Sequence, residues 1–518
     1  MKTIVLSIVF AIIFSFTPIL YAQSPSPTER KISPGSIKLE NGYTIEAAVS
    51  NLSVPTTAIF DGEDLIIAES GFANTAKPRI LRIKKNGEVT SIAEEGLNPP
   101  VTGLLMIDKV LYVSHRGKVS LVQNDGHLKD IVTDLPSNGD HQNNNIVLGP
   151  DGKIYMGQGT VTNSAIVGED NYLFGWLDKS PEVHEIPCKD ITLTGINFDS
   201  GNPLTPNRND SVTTGAYKPF GSPSIPNEII KGNNKCGGSI VRFNKDGSDF
   251  ELVAWGLRNP FGLEFDKNGQ LWATNHGVDV RGSRSVFNDP DYLLQIKKDA
   301  WYGWPEHFDN KGAKPQFLWK DHPNREEPFM LFNSHAATNG LTISNNTQFG
   351  HQGDIFIAMF GTFAPFTSGI NISAQGFRVV RVDTDTKQIN DFASNTLPGP
   401  AYLNQGGGFD RPSDVVFGPD NALYVIDWGA ATLDQEGLKL VPKSGVIWRI
   451  YSKNQTSQYP NGPIAVNDTS VKQEDRETLV SNALPLYKQA IPIILFFVVV
   501  SFVIAVLIFR FVTFIKGE

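Results

Sequence analysis

Cysteine and positive charge are both scarce in this chain. Its 45 Lys and Arg are outnumbered by 54 Asp and Glu, for a net charge of −9 over 518 residues. The basic residues are scattered, which argues against nucleic acid as a partner, because phosphate binding needs a clustered basic face. Cys188 and Cys236 are the only cysteines. In an exported chain an even pair suggests one disulfide, whose loop closure contributes about 4 kcal/mol; two free buried thiols are the alternative. Several chemical signatures are missing as well. There is no nucleophile elbow, no His-Glu-x-x-His zinc pattern, no Gly-x-Gly-x-x-Gly opening a helix and no haem attachment motif. No long amphipathic helix pattern is present either.

What is there begins with two apolar ends. Lys2 precedes the run Ile4–Phe16, and Ala22 and Ser24 offer small residues for cleavage, so residues 1–24 read as an export signal. Ala490–Phe509 carries no charge, and sixteen of its residues are Ile, Leu, Val or Phe. A spanning helix needs roughly 20 such residues, and residues 490–510 are read as one. Arg510 and Lys516 follow and assign the tail, 511–518, to the cytoplasm. The expectation is a single-pass protein of the cell membrane with everything before the helix outside. Residues 452–489, rich in Asn, Ser, Thr and Pro, read as a polar stem. Sequons at Asn51, Asn209, Asn345, Asn371, Asn454 and Asn467 all precede the span and permit glycosylation.

Between these ends a two-part phrase repeats six times. Its first part is a hairpin, two short apolar runs about a turn: Ala58–Ala68, Leu104–Val113, Ile146–Met156, Leu263–Ala273, Thr347–Ala358 and Val415–Ile426. Its second part is a strand: Arg79–Ile83, Lys118–Val122, Ser239–Phe243, Tyr292–Ile296, Phe377–Val382 and Val446–Ile450. The third unit carries an insertion near residues 160–236, which a propeller tolerates and a solenoid of fixed period does not. The pattern predicts an all-β, six-bladed β-propeller over residues 38–451, with an array of β-sandwiches as the fallback.

Hairpin geometry then says which residues share an end. His141 and Gln142 fall beside Gly159 and Thr160, Arg258 and Asn259 beside His276 and Gly277, and Arg411 beside Asp427 and Trp428. A closed propeller brings these sets together around its channel, where a ligand site is expected. His115, His127, His184, His307 and His322 read as solvated loop residues. A neutral imidazole can remove a hydroxyl proton, and a fixed guanidinium can stabilise charge on an acceptor oxygen. Hydride abstraction from an alcohol is the chemistry such a set supports.

The same residues carry a family resemblance. Asp140-His141-Gln142 with Ile146-Val147-Leu148-Gly149-Pro150-Asp151-Gly152, then Gly256-Leu257-Arg258-Asn259-Pro260-Phe261-Gly262, Tyr302-Gly303-Trp304-Pro305 and Arg411-Pro412-Ser413-Asp414 follow in order. Together they resemble the glucose/sorbosone dehydrogenase family, the last motif its sorbosone-type branch. The resemblance, from Gly42 to Ile450, implies a six-bladed propeller using pyrroloquinoline quinone (PQQ) and calcium to oxidise a sugar or polyol, with electrons passed to a separate acceptor. It implies His141 as the general base, Thr160 beside it, Arg258, Asn259, Gln142, His276 and Arg411 toward the cofactor, and the carbonyls of Gly277 and Val278 toward calcium.

The chain also departs from the pattern. The acid that orients the histidine in the glucose enzymes falls at Thr160, a second arginine at Ser413, and a glutamine is missing near Thr102-Gly103-Leu104. The acidic pair before the Tyr-Gly-Trp-Pro segment reads Asp291-Tyr292. These losses keep open a non-catalytic binding module on the same scaffold and, less favoured, a lactone hydrolase.

Overall fold

A computed structural model describes residues 30–467, apart from 73–75, 208, 310–315, 365–366, 370–374 and 435–436. Six sheets of four or five strands, antiparallel but for two short added strands, follow one another along the chain. Their innermost strands are Pro55–Asp61, Val101–Ile107, Asn143–Leu148, Pro260–Phe265, Thr338–Ile343 and Pro412–Phe417, and each pairs first with the next strand in sequence. This is the six-bladed propeller the repeat predicts. The helices of the described residues are short, Glu169–Leu173, Ala401–Asn404 and a 3-10 turn at Pro34–Ser36 among them.

The hairpins form where a short turn interrupts two apolar runs. Gly62, Gly152, Gly269 and Asn421 take φ of 64°, 78°, 80° and 63°, a region glycine enters freely and asparagine tolerates. Blade five differs from expectation. Its inner strand is Thr338–Ile343, paired with Ile355–Met359, and residues 344–354 connect them. That strand reads Thr-Asn-Gly-Leu-Thr-Ile, too polar to register as an apolar run, yet it is wholly buried. Its polar groups are used by the neighbouring blade, since the Thr274 hydroxyl donates to the Asn339 carbonyl at 2.6 Å.

Comparable bonds tie most adjacent blades. Thr56 donates to Val101 O at 2.7 Å, Thr102 to Asn143 O at 2.7 Å, Asn144 to Pro260 O at 3.0 Å and Ser413 to Pro55 O at 3.2 Å. Between blades five and six the backbones approach so closely that a Cβ on Gly340 would lie 1.8 Å from an Asp414 oxygen. Every inner strand also shifts register near its start, at 55/57, 101/103, 143/146, 260/263, 338/341 and 412/414. Such bulges bend a strand and re-aim the residues before it. In blades three and four those residues are His141-Gln142 and Arg258-Asn259.

Apolar side chains fill the space between blades. Phe356, Phe392, Phe409 and Trp448, none of them exposed, pack between blades five and six. Burying each ring contributes about 3 kcal/mol, the large end of the range for one side chain. Blade six is completed by the N-terminal strand Tyr43–Leu52, paired with Gly445–Ser452, and Ile37–Leu39 extends blade five. Arg30 reinforces this closure through Asp410 (2.8 Å) and Asp427 (2.5 Å), with its side chain 2% exposed.

The stem expected from residue 452 begins inside the propeller. Ile464–Ala465 adds to the N-terminal strand, and Val466 is 3% exposed, because isolated apolar residues in that polar stretch still find a sheet edge. The compact unit ends at Val466. The export signal at 1–24 and the span at 490–510 lie outside the described residues; among those described, no helix is long and apolar enough to cross a membrane. Cys188 and Cys236 are disulfide-bonded and close the inserted segment of blade three.

Candidate active site

The hairpin ends pair as expected. His141 N–H donates to Thr160 O at 3.1 Å, Gly159 N–H to Gln142 O at 2.9 Å, His276 N–H to Asn259 O at 3.4 Å and Trp428 N–H to Arg411 O at 2.9 Å. Blades three and four are stitched together here, with Thr160 N–H donating to Arg258 O at 2.9 Å and Asn144 Nδ2 to Asn259 Oδ1 at 2.8 Å. A Cβ on Gly159 would meet both His141 Cβ, at 2.5 Å, and Asn259 Oδ1, at 2.6 Å. Only glycine lets these two side chains converge.

The His141 ring is oriented by a carbonyl. Its Nδ1 lies 3.0 Å from Thr160 O, an acceptor only, so Nδ1 carries the hydrogen and Nε2 keeps its lone pair. The Thr160 hydroxyl is 3.4 Å from Nδ1 and instead donates to Thr162 O at 2.7 Å. Burial, then the positive Arg258 and Arg281, then His276 hold His141 well below the usual histidine range. It is therefore a neutral imidazole with a free basic nitrogen.

Arg258, 3% exposed, gives Nη2 to Asp279 at 2.8 Å, while its Nε is buried without a hydrogen bond among the described residues. Asn275 Oδ1 accepts the N–H groups of both Arg258 and Asn259 at 3.0 Å and fixes this turn. Asp279 also faces Arg281 Nε at 3.2 Å and His335 Nδ1 at 3.4 Å. Burial alone would raise its pKa, but Arg258, the hydrogen bond with His335 and Arg281 press it far below the carboxylate range. Arg281 continues to Asp140 and Asp170, each at 2.6 Å, and stacks on Phe174 at 4.1 Å. A cavity of about 350 Å³ opens beside it, walled by Glu169, Asp170, Asp199, Arg281 and Ser283.

His276 has both nitrogens occupied. Nε2 donates toward Asn339 Oδ1 at 2.9 Å and Thr338 O at 3.1 Å, and Nδ1 accepts from Asn259 Nδ2 at 3.1 Å. Burial and Arg258 push it down to about 4, so it orders Asn259 as a neutral ring. Gln142 is half-buried and its side chain makes no hydrogen bond among the described residues. Arg411 is enclosed elsewhere, donating to Gly361 O at 3.0 Å under the rings of Phe363 (3.6 Å), Phe360 and Phe377. No contact joins it to His141 or Arg258 among the described residues, so an arginine free to face a cofactor carboxylate is not what this arrangement presents.

Gly277 and Val278 donate their N–H groups to Asp291 (2.9 Å) and Asp289 (2.7 Å). Burial pushes these acids up to about 7 and about 6. Asp291, followed in the sequence by Tyr292, thus works beside Asp289, with Pro290 between them. The carbonyls of Gly277 and Val278 accept no hydrogen bond among the described residues. A crevice of about 20 Å³, room for one water, touches Val278, Asp289, Arg258 and His276.

Asp279, Arg281 and His335 were not singled out from sequence, although Asp279 and Arg281 closely follow Gly277-Val278. Of the histidines read as solvated, His115 is 0% exposed, held by Asn98 N–H at 2.9 Å and Ser120 Oγ at 2.8 Å. His322 stacks on Trp301 and contacts His307.

Comparison with known proteins bears on this site directly. Residues 232–427 match the family described as Glucose / Sorbosone dehydrogenase. Quinoprotein glucose dehydrogenase B of Acinetobacter calcoaceticus is 29% identical over 178 residues, which are 34% of this chain and 28% of that protein. The chain therefore matches under a third of that relative's length. Among solved structures, the holo form of the pyranose dehydrogenase PQQ domain from Coprinopsis cinerea superposes with a TM-score of 0.52 at 13% identity, covering 83% of this chain and 99% of its own. The calcium structure of Trichoderma reesei Carbohydrate-Active Enzymes Family AA12 gives 0.52 at 13% identity over 82% and 98%. At these identities the two structures speak for the fold. His141 precedes the family match, whereas Arg258, Asn259, His276, Gly277, Val278 and Arg411 lie within it. Over residues 232–427, the segment that supplies most of the site, this chain matches the glucose/sorbosone dehydrogenase family, as its motifs imply.

Proposed function

We propose that this protein is a quinone-dependent dehydrogenase of sugars or polyols, held by a C-terminal helix at the outer face of a cell membrane. The observation that carries the chemistry is the His141 imidazole, fixed by the Thr160 carbonyl with Nε2 unprotonated and beside Arg258. The membrane placement rests on the apolar ends of the sequence.

The residues present fit a hard cation and part of a quinone. Two adjacent carbonyls, of Gly277 and Val278, accept no hydrogen bond among the described residues and suit calcium. The buried Arg258 Nε and the Asn259 side chain suit a polar, anionic cofactor. Arg411 does not, because the protein itself encloses it. When bound, PQQ would accept the hydride from the alcohol carbon. His141 Nε2 takes the hydroxyl proton, and Thr160 O bears the partial charge that grows on Nδ1–H. Arg258 stabilises negative charge as it develops, from a guanidinium already fixed by Asp279, so little reorganisation is needed. The electrons would leave to a separate acceptor.

A second reading keeps a specific observation in its favour. Arg258 and Arg281 are neutralised by Asp279, Asp140 and Asp170, so the site offers little net positive charge to an anionic cofactor. A binding module on the propeller scaffold would need none. Reconstitution separates the two. The full chain in detergent, mixed with calcium and PQQ, is expected to take up the quinone and reduce a dye with a panel of aldoses. His141→Ala should retain uptake and lose activity at least about 100-fold, as for a lost general base. A folded protein that never takes up the quinone would favour the binding module.

A further inference from the structure

Glu185 sits in the inserted segment of blade three, 1% exposed, and the mechanism above makes no use of it. Its Oε1 accepts the Thr162 N–H at 2.6 Å and the Thr162 hydroxyl at 3.0 Å. Its Oε2 is buried without a hydrogen bond among the described residues. Burial, the largest effect, pushes its carboxyl up against the Thr162 bonds, and Asp140 adds repulsion. A buried acid with one oxygen unbonded costs stability even when protonated, which points to a task.

Its place in the fold indicates which. From Glu185 the bonds run to Thr162, from Thr162 O to the Thr160 hydroxyl at 2.7 Å, and from Thr160 O to His141 Nδ1 at 3.0 Å. On its other side Oε2 abuts Gly237, where a Cβ would lie 2.5 Å away and 3.4 Å from Thr160 Cα. Gly237 adjoins the bonded Cys236, and Glu185 lies just before Cys188. The disulfide thus wedges the carboxyl against the turn that carries the histidine's acceptor. Thr160 stands where the family resemblance places an orienting acid, and Glu185 supplies an acid two links farther out.

We propose that Glu185 is a positioning residue for His141, holding the Thr160–Thr162 turn so that the Thr160 carbonyl keeps Nδ1–H in place and Nε2 open. This rests on His141 being the base, so its test has an arm that needs no catalysis. In the quinone-free full chain with ¹⁵N-labelled histidine, the His141 signals, assigned by their absence from His141→Ala, should report one Nδ1–H tautomer. Glu185→Ala should give a mixture of tautomers, and Glu185→Gln, which keeps the acceptor oxygen and the shape, should restore the single form. In the reconstituted enzyme Glu185→Ala should lower kcat at least tenfold with KM unchanged, and Glu185→Gln should recover most of it. Should Glu185→Ala fail to fold, Glu185→Asp, one methylene short of Thr162, takes its place in both arms. A folded variant with an unaltered His141 tautomer would overturn the proposal. Failure of the wild-type chain to take up quinone would defeat the dehydrogenase reading while leaving the tautomer result standing.

Discussion

His141 owes its neutral state to a balance that can be shifted one neighbour at a time. Burial and the adjacent Arg258 and Arg281 all disfavour imidazolium, so the ring stays neutral well below its ordinary pKa of about 6.5. The acid limb of kcat/KM should therefore lie below pH 6.5 in the reconstituted enzyme. Arg258→Gln removes the strongest positive neighbour and frees negative charge on Asp279, and both effects favour imidazolium. That limb should move to higher pH, measured as kcat/KM across pH 4–8; an unmoved limb would show that Arg258 does not act on this ring. The same electrostatics explain what the sequence could show. His141 and Arg258 were legible because each sits at a hairpin end. Asp279 and Arg281 were not, since their meaning depends on Asp140 and Asp170, more than a hundred positions away in blade three.

Among the elements, the strands legible in sequence were those buried on both sides. Arg79–Ile83, Lys118–Val122, Ser239–Phe243 and Tyr292–Ile296 form as read, because an apolar alternation is the price of a central position in a blade. Outer strands such as Val89–Ala93 and Leu128–Val132 escaped notice, each having two exposed residues and little to bury. The inner strand of blade five was misplaced for the opposite reason, since Thr338, Asn339 and Thr342 are buried in it alongside Leu341 and Ile343. Two elements carry stability that can be measured. Arg30→Ala strands Asp410 and Asp427 in the interior of blade six, and removing one partner of a buried ion set costs about 3–5 kcal/mol, readable as a lower midpoint in urea. Cys188→Ser with Cys236→Ser opens a loop of 48 residues and should cost about 4 kcal/mol. A reduced chain with unchanged stability would mean that other contacts hold the insertion.

Over the whole molecule, buried acids give the fold a dependence on pH. Burial raises Glu185 to about 8 and Asp291, Glu306 and Asp414 to about 7, against an unfolded value near 4. A raised pKa means the native chain holds protons that the unfolded chain has released. The resulting stability is complete below about pH 4 and is lost as pH rises through 7 to 8. His115, His141 and His276 act oppositely, because their lowered pKa values cost stability as pH falls below about 6.5. Of these two sets only the carboxyls still change above pH 6.5, so Tm should fall between pH 6.5 and 8.5. A flat or rising Tm over that range would show that these acids ionise without cost.

Blade six sets the order in which the molecule can be assembled. Tyr43–Leu52 is among the first strands synthesised, yet its partner Gly445–Ser452 is among the last, so the early strand must wait, unpaired and apolar, for nearly the entire chain. Until that late strand arrives the ring has two raw edges, each a template for a wrong partner. A chain cut short before residue 445 would keep five blades and three strands of the sixth, with nothing to join Leu423–Asp427 to Tyr43–Leu52.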